Sequence, residues 1–215
     1  MKQLKAQYNS VDIANESLQV VSELMDLQPK QQIDNLLWSD SGYKPHVSFA
    51  IAYTDSAILL KYYVQEEHSK ADYREINDPV YKDSCVEFFI AFDNEPNYYN
   101  LEFNRLGTAL VGYGPGKNER IPVKNELIKD IKTYNTIRDV ATGGGALTTW
   151  QLSLVIPFTL FQHHHVTSLA NRQCSANFYK CGDDLPEPHF LSWNNIDNPH
   201  PNFHLPQFFG RVQFA

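Results

Sequence analysis

The stretch Tyr81-Lys82-Asp83-Ser84-Cys85-Val86-Glu87-Phe88-Phe89-Ile90-Ala91-Phe92 decides the fold of this chain. Val86, Phe88, Ile90 and Phe92 share one face at a period of two, and Cys85, Glu87, Phe89 and Ala91 share the other. This periodicity predicts a strand, and its odd member is Glu87, an acid inside an apolar run. Such a carboxylate belongs at a sheet edge or in the lining of a concave polar site. Tyr81 lies six residues before Glu87 and, in a continuous strand, on the same face. A ring above a hydrogen-bond acceptor suits a ligand with an apolar face and a hydroxylated rim.

Similar alternation recurs on both sides. Phe49, Ile51 and Tyr53, then Ile58, Leu60, Tyr62 and Val64, predict a hairpin turning at Thr54-Asp55-Ser56. Asp93-Asn94-Glu95-Pro96-Asn97 is a turn, and residues 98–104 alternate again. Gly107 and Gly112-Tyr113-Gly114-Pro115-Gly116 predict loops. Residues 133–138 and 147–156 read as strands joined through Gly143-Gly144-Gly145, and Pro157 opens a short helix. Segments near Phe178, 190–193 and 209–214 complete the strands. Residues 11–37 differ: Leu18, Val21, Leu24 and Met25 recur at helical spacing, with Ser17 or Asn15 as cap and Pro29 as stop. The expected fold is all-β, an antiparallel β-sandwich of jelly-roll or immunoglobulin-like type. Residues 1–37 are expected to form a helical arm of the same domain, and 38–215 the sandwich.

Composition narrows the function. The chain has 215 residues, 42% hydrophobic and 20% charged, enough for one core without covalent staples. A net charge of −7 with no basic block argues against nucleic acid, whose phosphates require clustered Lys and Arg. No run reaches the ~18 apolar residues of a membrane span. No apolar segment follows Met1-Lys2-Gln3-Leu4-Lys5, so a cytoplasmic location is expected, or an extracytoplasmic one if a leader has been removed. Three cysteines do not make a disulfide framework, and buried thiols are the expectation.

The motifs together resemble carbohydrate-binding module family 9. The resemblance is carried by Tyr81-x-Asp83-Ser84-x-Val86-Glu87-Phe88-Phe89-Ile90, Tyr99-x-Leu101-x-Phe103-Asn104-x-x-Gly107 and Trp150-x-Leu152-x-Leu154-Val155-Ile156-Pro157-Phe158. Asn177-Phe178-Tyr179-Lys180, Leu191-Ser192-Trp193 and Phe203-His204-x-Pro206-x-x-Phe209-Gly210-x-Val212-x-Phe214 follow in the family's order. The resemblance implies a β-sandwich that binds mono- or oligosaccharides, including polysaccharide ends, often in partnership with xylanases and other glycoside hydrolases. It implies two rings clamping the terminal sugar, Tyr81, two residues before Asp83, and Phe203, where well-understood members carry tryptophan. It also implies Glu87 as the hydroxyl-binding carboxylate and an arginine near Glu102, where this chain reverses the charge.

Around that pair, Asn104 and His204 are expected at the rim and Trp193 at its border, while Trp38 and Trp150 read as core. His189 and His200 match His204 by composition. Asp93, Asn94 and Glu95 offer oxygen ligands to the calcium some family members contain, although turn chemistry explains them equally. No other cofactor is expected. His163-His164-His165 is read as a loop, since consecutive side chains splay apart. Two alternatives stand beside the binding module. One is a glycoside hydrolase using Glu87 and Glu102 as its carboxyl pair. The other is an interaction domain that has lost its sugar.

Overall fold

The computed structural model describes residues 1–93, 95–142 and 145–215. In chain order its elements are β1 (Gln3–Tyr8), helix α1 (Leu18–Asp26), β2 (Gln31–Gln32), β3 (Asn35–Leu37), β4 (His46–Tyr53) and β5 (Ala57–Glu66). Next come β6 (Cys85–Ala91), β7 (Tyr98–Asn104), β8 (Ala109–Gly114), β9 (Ile121–Pro122), helix α2 (Asn125–Lys129), β10 (Lys132–Thr142) and β11 (Gly145–Pro157). β12 (Gln173–Cys181), β13 (Phe190–Ser192) and β14 (Gly210–Phe214) close the series. The chain is all-β in class. Its strands form one curled mixed sheet, in the order β10-β11-β5-β4-β1-β14-β12-β6-β7-β8-β9.

The hairpin of β4 and β5 forms as its alternation predicts, with Tyr53 opposite Ile58. The Thr54 hydroxyl closes the turn by accepting from the backbone N–H of Ala57 at 3.1 Å and of Ser56 at 3.3 Å. The inward side chains of this hairpin meet those of β6, β7 and β12. Phe49 stacks on Phe178 at 3.7 Å, and Phe178 stacks on Phe88 at 5.0 Å. The Tyr62 hydroxyl donates to the Glu87 backbone carbonyl at 2.7 Å, tying the two halves of the sheet together. Val86, Phe88 and Ile90 thus face the main core, while Cys85, Phe89 and Ala91 face a second apolar cluster under residues 196–209.

Three expectations need correction. The sheet is not purely antiparallel, because β1 runs parallel to both β4 and β14. The amino-terminal segment is therefore more than a helical arm: β1 occupies the centre of the sheet. Its polar sequence buries only Leu4 and Ala6, too few to show a period of two. Gly112, Tyr113 and Gly114, read as part of a loop, belong to strand β8. Gly114 there is a close-approach glycine, since a Cβ would lie 2.6 Å from the Arg120 Cα. Finally, Tyr81 does not continue strand β6. It sits in a 3-10 turn, Val80–Lys82, before the strand begins. The expected turn at Gly143-Gly144-Gly145 lies largely outside the described residues.

Other expectations hold. Helix α1 starts where Ser17 accepts from the Val20 N–H at 3.2 Å, and it buries Val21 and Met25 against Ala50, Ala52 and Leu59. Gly210 of the Phe-Gly pair lets β14 lie against Trp193. A Cβ there would stand 2.4 Å from the Trp193 ring and 2.8 Å from the Lys2 carbonyl oxygen. Gly210→Ala is expected to lower stability by about 1–3 kcal/mol through overpacking. Urea denaturation checks this; an unchanged midpoint would mean that Trp193 moves aside without cost.

Candidate functional site

The outer face of β6 and its two neighbours forms the floor of a cleft of about 170 Å³. The register sets its chemistry. Glu87 pairs with Glu102 of β7 on one side and with Tyr179 of β12 on the other, and Cys85 pairs with Cys181. Glu87 and Glu102 are only 3% and 2% exposed. Walls come from elsewhere: Tyr81 from its 3-10 turn, Trp38 after β3, Lys117 and Arg120 from the β8–β9 loop, Asp183 after β12, and Asn202, Phe203 and His204 before β14.

Arg120 resolves the charge reversal at Glu102. Its Nη1 donates to Glu102 Oε1 at 3.1 Å, so the positive charge approaches from a loop rather than from the strand. Asn100 Nδ2 donates to the same oxygen at 2.9 Å. Glu102 Oε2 is buried and has no hydrogen-bond partner among the described residues. On Glu87, Oε1 accepts from Cys181 Sγ at 3.1 Å. Burial, and then the neighbouring Glu102, push the Glu87 carboxyl well above the usual range. Burial also raises Glu102, despite Arg120. A carboxyl that keeps its proton can donate as well as accept a hydrogen bond.

The walls are held in defined positions. The Tyr81 backbone carbonyl accepts from the Asp183 N–H at 3.1 Å. Trp38 adopts a positive φ of 47° and donates through Nε1 to the Asn198 carbonyl at 2.6 Å. Phe203 is nearly buried, stacked on Tyr179 at 4.3 Å with Trp38 5.8 Å away. His204 Nδ1 lies 2.8 Å from the Tyr98 hydroxyl. Burial, Arg120 and Lys117 lower its pKa to about 3, which keeps the imidazole neutral.

Of the residues singled out in the sequence, the cleft therefore brings together Tyr81, Glu87, Glu102, Phe203 and His204. Asp83 and Asn104 lie elsewhere. The Asp83 carboxylate accepts from the N–H groups of Asp72 and Tyr73 and from Asn104 Nδ2, and Asn104 also donates to the Tyr73 carbonyl at 2.8 Å. Together they clasp the loop that leads into Tyr81. Trp193 is core, 1% exposed. Trp38, read as core, is half-buried and lines the cleft. His189 is buried against Lys180. Lys117, Arg120, Asp183 and Asn202 went unnoticed in the sequence. The one signal for Arg120 was a pair of cations in a glycine-rich loop beside two acidic strands.

Of the residues offered to calcium, Asp93 is ion-paired with Arg172, Glu95 Oε2 lies 3.4 Å from His164 Nε2, and Asn94 lies outside the described residues. Calcium needs six or more oxygens. In the histidine run, His163 stacks on Tyr113 at 4.3 Å and His164 Nδ1 lies 3.0 Å from the Tyr99 hydroxyl, so both rings pack against the same pair of tyrosines.

The family model described as carbohydrate-binding family 9 matches residues 19–214. The chain belongs to carbohydrate-binding family 9. A Bacteroides uniformis protein, described from its crystal structure as a candidate carbohydrate-binding protein, is 36% identical to this module. It superposes with a TM-score of 0.89, over 100% of this chain and 99% of that one. A family 9 module from Caldicellulosiruptor kristjanssonii in complex with glucose shares the fold at 12% identity and a TM-score of 0.63, covering 100% and 96% of the two chains. A family 9 module from the same organism in complex with cellotriose gives 13% and 0.57, covering 99% and 93%. Among curated proteins no match is found.

Asp183 offers a test of the module's electrostatics. Burial, against Lys117, lifts its pKa from 3.8 to about 6. A raised carboxyl pKa favours the folded state at low pH, and that contribution is lost as pH rises from about 4 through 6. Asp183→Asn is therefore expected to stabilise the module at pH 8 by roughly 1–3 kcal/mol and to change little at pH 3.5. Unfolding curves at the two pH values check this, and an equal gain at both would discount ionisation as the cause.

Proposed function

We propose that this family 9 module is a non-catalytic domain that holds a monosaccharide or the end of an oligosaccharide in the Tyr81–Glu87 cleft. The observation that carries the reading is the floor itself. Two buried carboxyls lie side by side, one cation, Arg120, bonds Glu102, and one acceptor, Glu102 Oε2, is left unpartnered among the described residues beneath aromatic walls. A buried acceptor without a partner is costly, and a ligand hydroxyl would satisfy it. Tyr81 and Trp38 would cover the apolar faces of a pyranose, with His204, Asn202 and Arg120 at its rim. Phe203 acts mainly by backing Trp38.

Glycoside hydrolysis is the weaker reading. It needs two carboxyls flanking a scissile bond, whereas Glu87 and Glu102 are neighbours on one floor and serve the same side of a ligand. In this account the two facing halves of the curled sheet act as a β-sandwich, with residues 1–37 integral to a single domain. A glycoside hydrolase is the natural functional partner. Among the described residues no helix is long and apolar enough to cross a membrane.

Calorimetry with glucose and cellotriose tests the proposal. Saturable binding is expected, and Tyr81→Ala should weaken it about tenfold or more, the loss of roughly 1.4 kcal/mol of ring–sugar contact. No heat with either sugar, or a Tyr81→Ala protein that binds like the parent, would sink it. Phe203→Ala is the poorer probe, because removing a buried ring also costs ~3–5 kcal/mol of stability.

A further inference from the structure

Below the carboxyl floor lies chemistry that sugar recognition does not use. Cys85 and Cys181 are direct cross-strand partners on β6 and β12, and Glu87 follows Cys85 by two residues on the same face. The two sulfurs and a Glu87 carboxylate oxygen all lie within 4.8 Å of one another. All three residues are almost fully buried, and both cysteines are unbridged. Cys181 and Glu87 also line the cleft, so the cluster has a path to solvent.

We propose that Cys85, Cys181 and Glu87 form a three-ligand site for a thiophilic divalent cation of the zinc class, with its fourth position open to the cleft. The donor set selects the ion. Two thiolates and one carboxylate favour zinc or cadmium over calcium or magnesium, which take oxygen alone. A tetrahedral ion with bonds of about 2.0–2.3 Å draws its ligands to separations of roughly 3.5 Å, reachable here by small side-chain rotations. The backbone need not move, because the pleat already places the cysteines opposite each other. Each thiol, and Glu87 where it holds its proton, releases that proton to solvent as its metal bond forms. Arg120 and Lys117 above the floor offset the one negative charge left over.

The coupling to sugar binding rests on the proposed function, whereas the metal site itself does not. An ion bound to Glu87 sits beside the Glu102 acceptor that a sugar hydroxyl would meet, so each ligand weakens the other by the same factor.

The test is a cadmium titration of the metal-free protein under a phosphine reductant, which keeps Cys85 and Cys181 unbridged. A thiolate-to-metal charge-transfer band is expected, saturating at one ion per chain with the intensity of two thiolates and bleached by excess zinc. Cys85→Ser and Cys181→Ser should each lose it. Cys174→Ser, in the main core away from the cleft, should keep it. Thiol labelling of the unsubstituted protein in sub-denaturing urea, which opens the buried thiols transiently, needs no variant to fold: cadmium should slow the labelling of two of its three cysteines. Absence of the band, its persistence in Cys181→Ser, or labelling unaffected by cadmium would overturn the site. Glucose calorimetry with and without saturating cadmium separates the two ideas. A band without any glucose binding leaves the metal site standing and removes the sugar reading. Glucose binding that cadmium leaves unchanged takes Glu87 out of the site.

Discussion

Lys180→Met is expected to destabilise the module by about 3–5 kcal/mol, because it strands a buried carboxylate. Lys180 and Glu66 are both fully buried, with Nζ 2.8 Å from Glu66 Oε2. The same ammonium donates to the Cys181 carbonyl and to His189 Nε2, each at 2.8 Å. His189 Nδ1 in turn faces the Glu187 carbonyl at 2.9 Å, which fixes the tautomer that can accept from lysine. Trp150 Nε1 donates to Glu66 Oε1 at 2.6 Å. Burial works against an ionised Glu66, yet Lys180 and Trp150 hold its pKa below the usual value. Without the ammonium that balance fails. The double variant Glu66→Gln/Lys180→Met removes both charges, so it should lose less than Lys180→Met alone. Urea unfolding of the three proteins measures this. A single variant within about 1 kcal/mol of the parent would mean that water or a rearranged His189 replaces the ammonium.

Arg120→Ala is expected to cost about 10–100-fold in saccharide affinity, the worth of a hydrogen bond to a charged group. Arg120 is the one cation hydrogen-bonded to Glu102 among the described residues. Its removal leaves Glu87 and Glu102 side by side in a desolvated floor, and both then hold their protons more firmly. The ligand loses a rim donor and meets a floor of altered donor–acceptor pattern. Stability should fall by less than in Lys180→Met, since Arg120 is partly exposed and Glu102 can take up a proton where Glu66 is held ionised. Arg120→Lys, which keeps the charge but not the planar fork, should fall between the two. Calorimetry with glucose decides the matter, and an unchanged Kd would assign Arg120 a purely structural part.

The sequence was informative where structure is local. The two faces of β6, the β4–β5 hairpin and the Ser17 cap follow from side-chain period and capping chemistry, and each forms as expected. β1 was invisible because parallel pairing with distant strands leaves no local pattern, and its two neighbours supply the hydrophobic context. The site was half legible. Glu87 announced itself as an acid in an apolar strand, and Tyr81 and Phe203 came through family motifs. Asp83 and Asn104 sit in those same motifs but secure a loop, a distinction that only hydrogen-bond partners reveal. Arg120 reaches Glu102 by loop packing against Gly114, so its role depends on tertiary approach rather than on spacing.

The position of β1 also sets an order of events during synthesis. Its partner β4 emerges soon after it, but its other neighbour, β14, follows every other described strand. Until residues 210–214 leave the ribosome, one side of Leu4 and Ala6 has no strand to pair with, and the centre of the sheet stays open. Closure of the sheet thus joins segments far apart in sequence, where the Tyr8 N–H meets the Ala215 carbonyl.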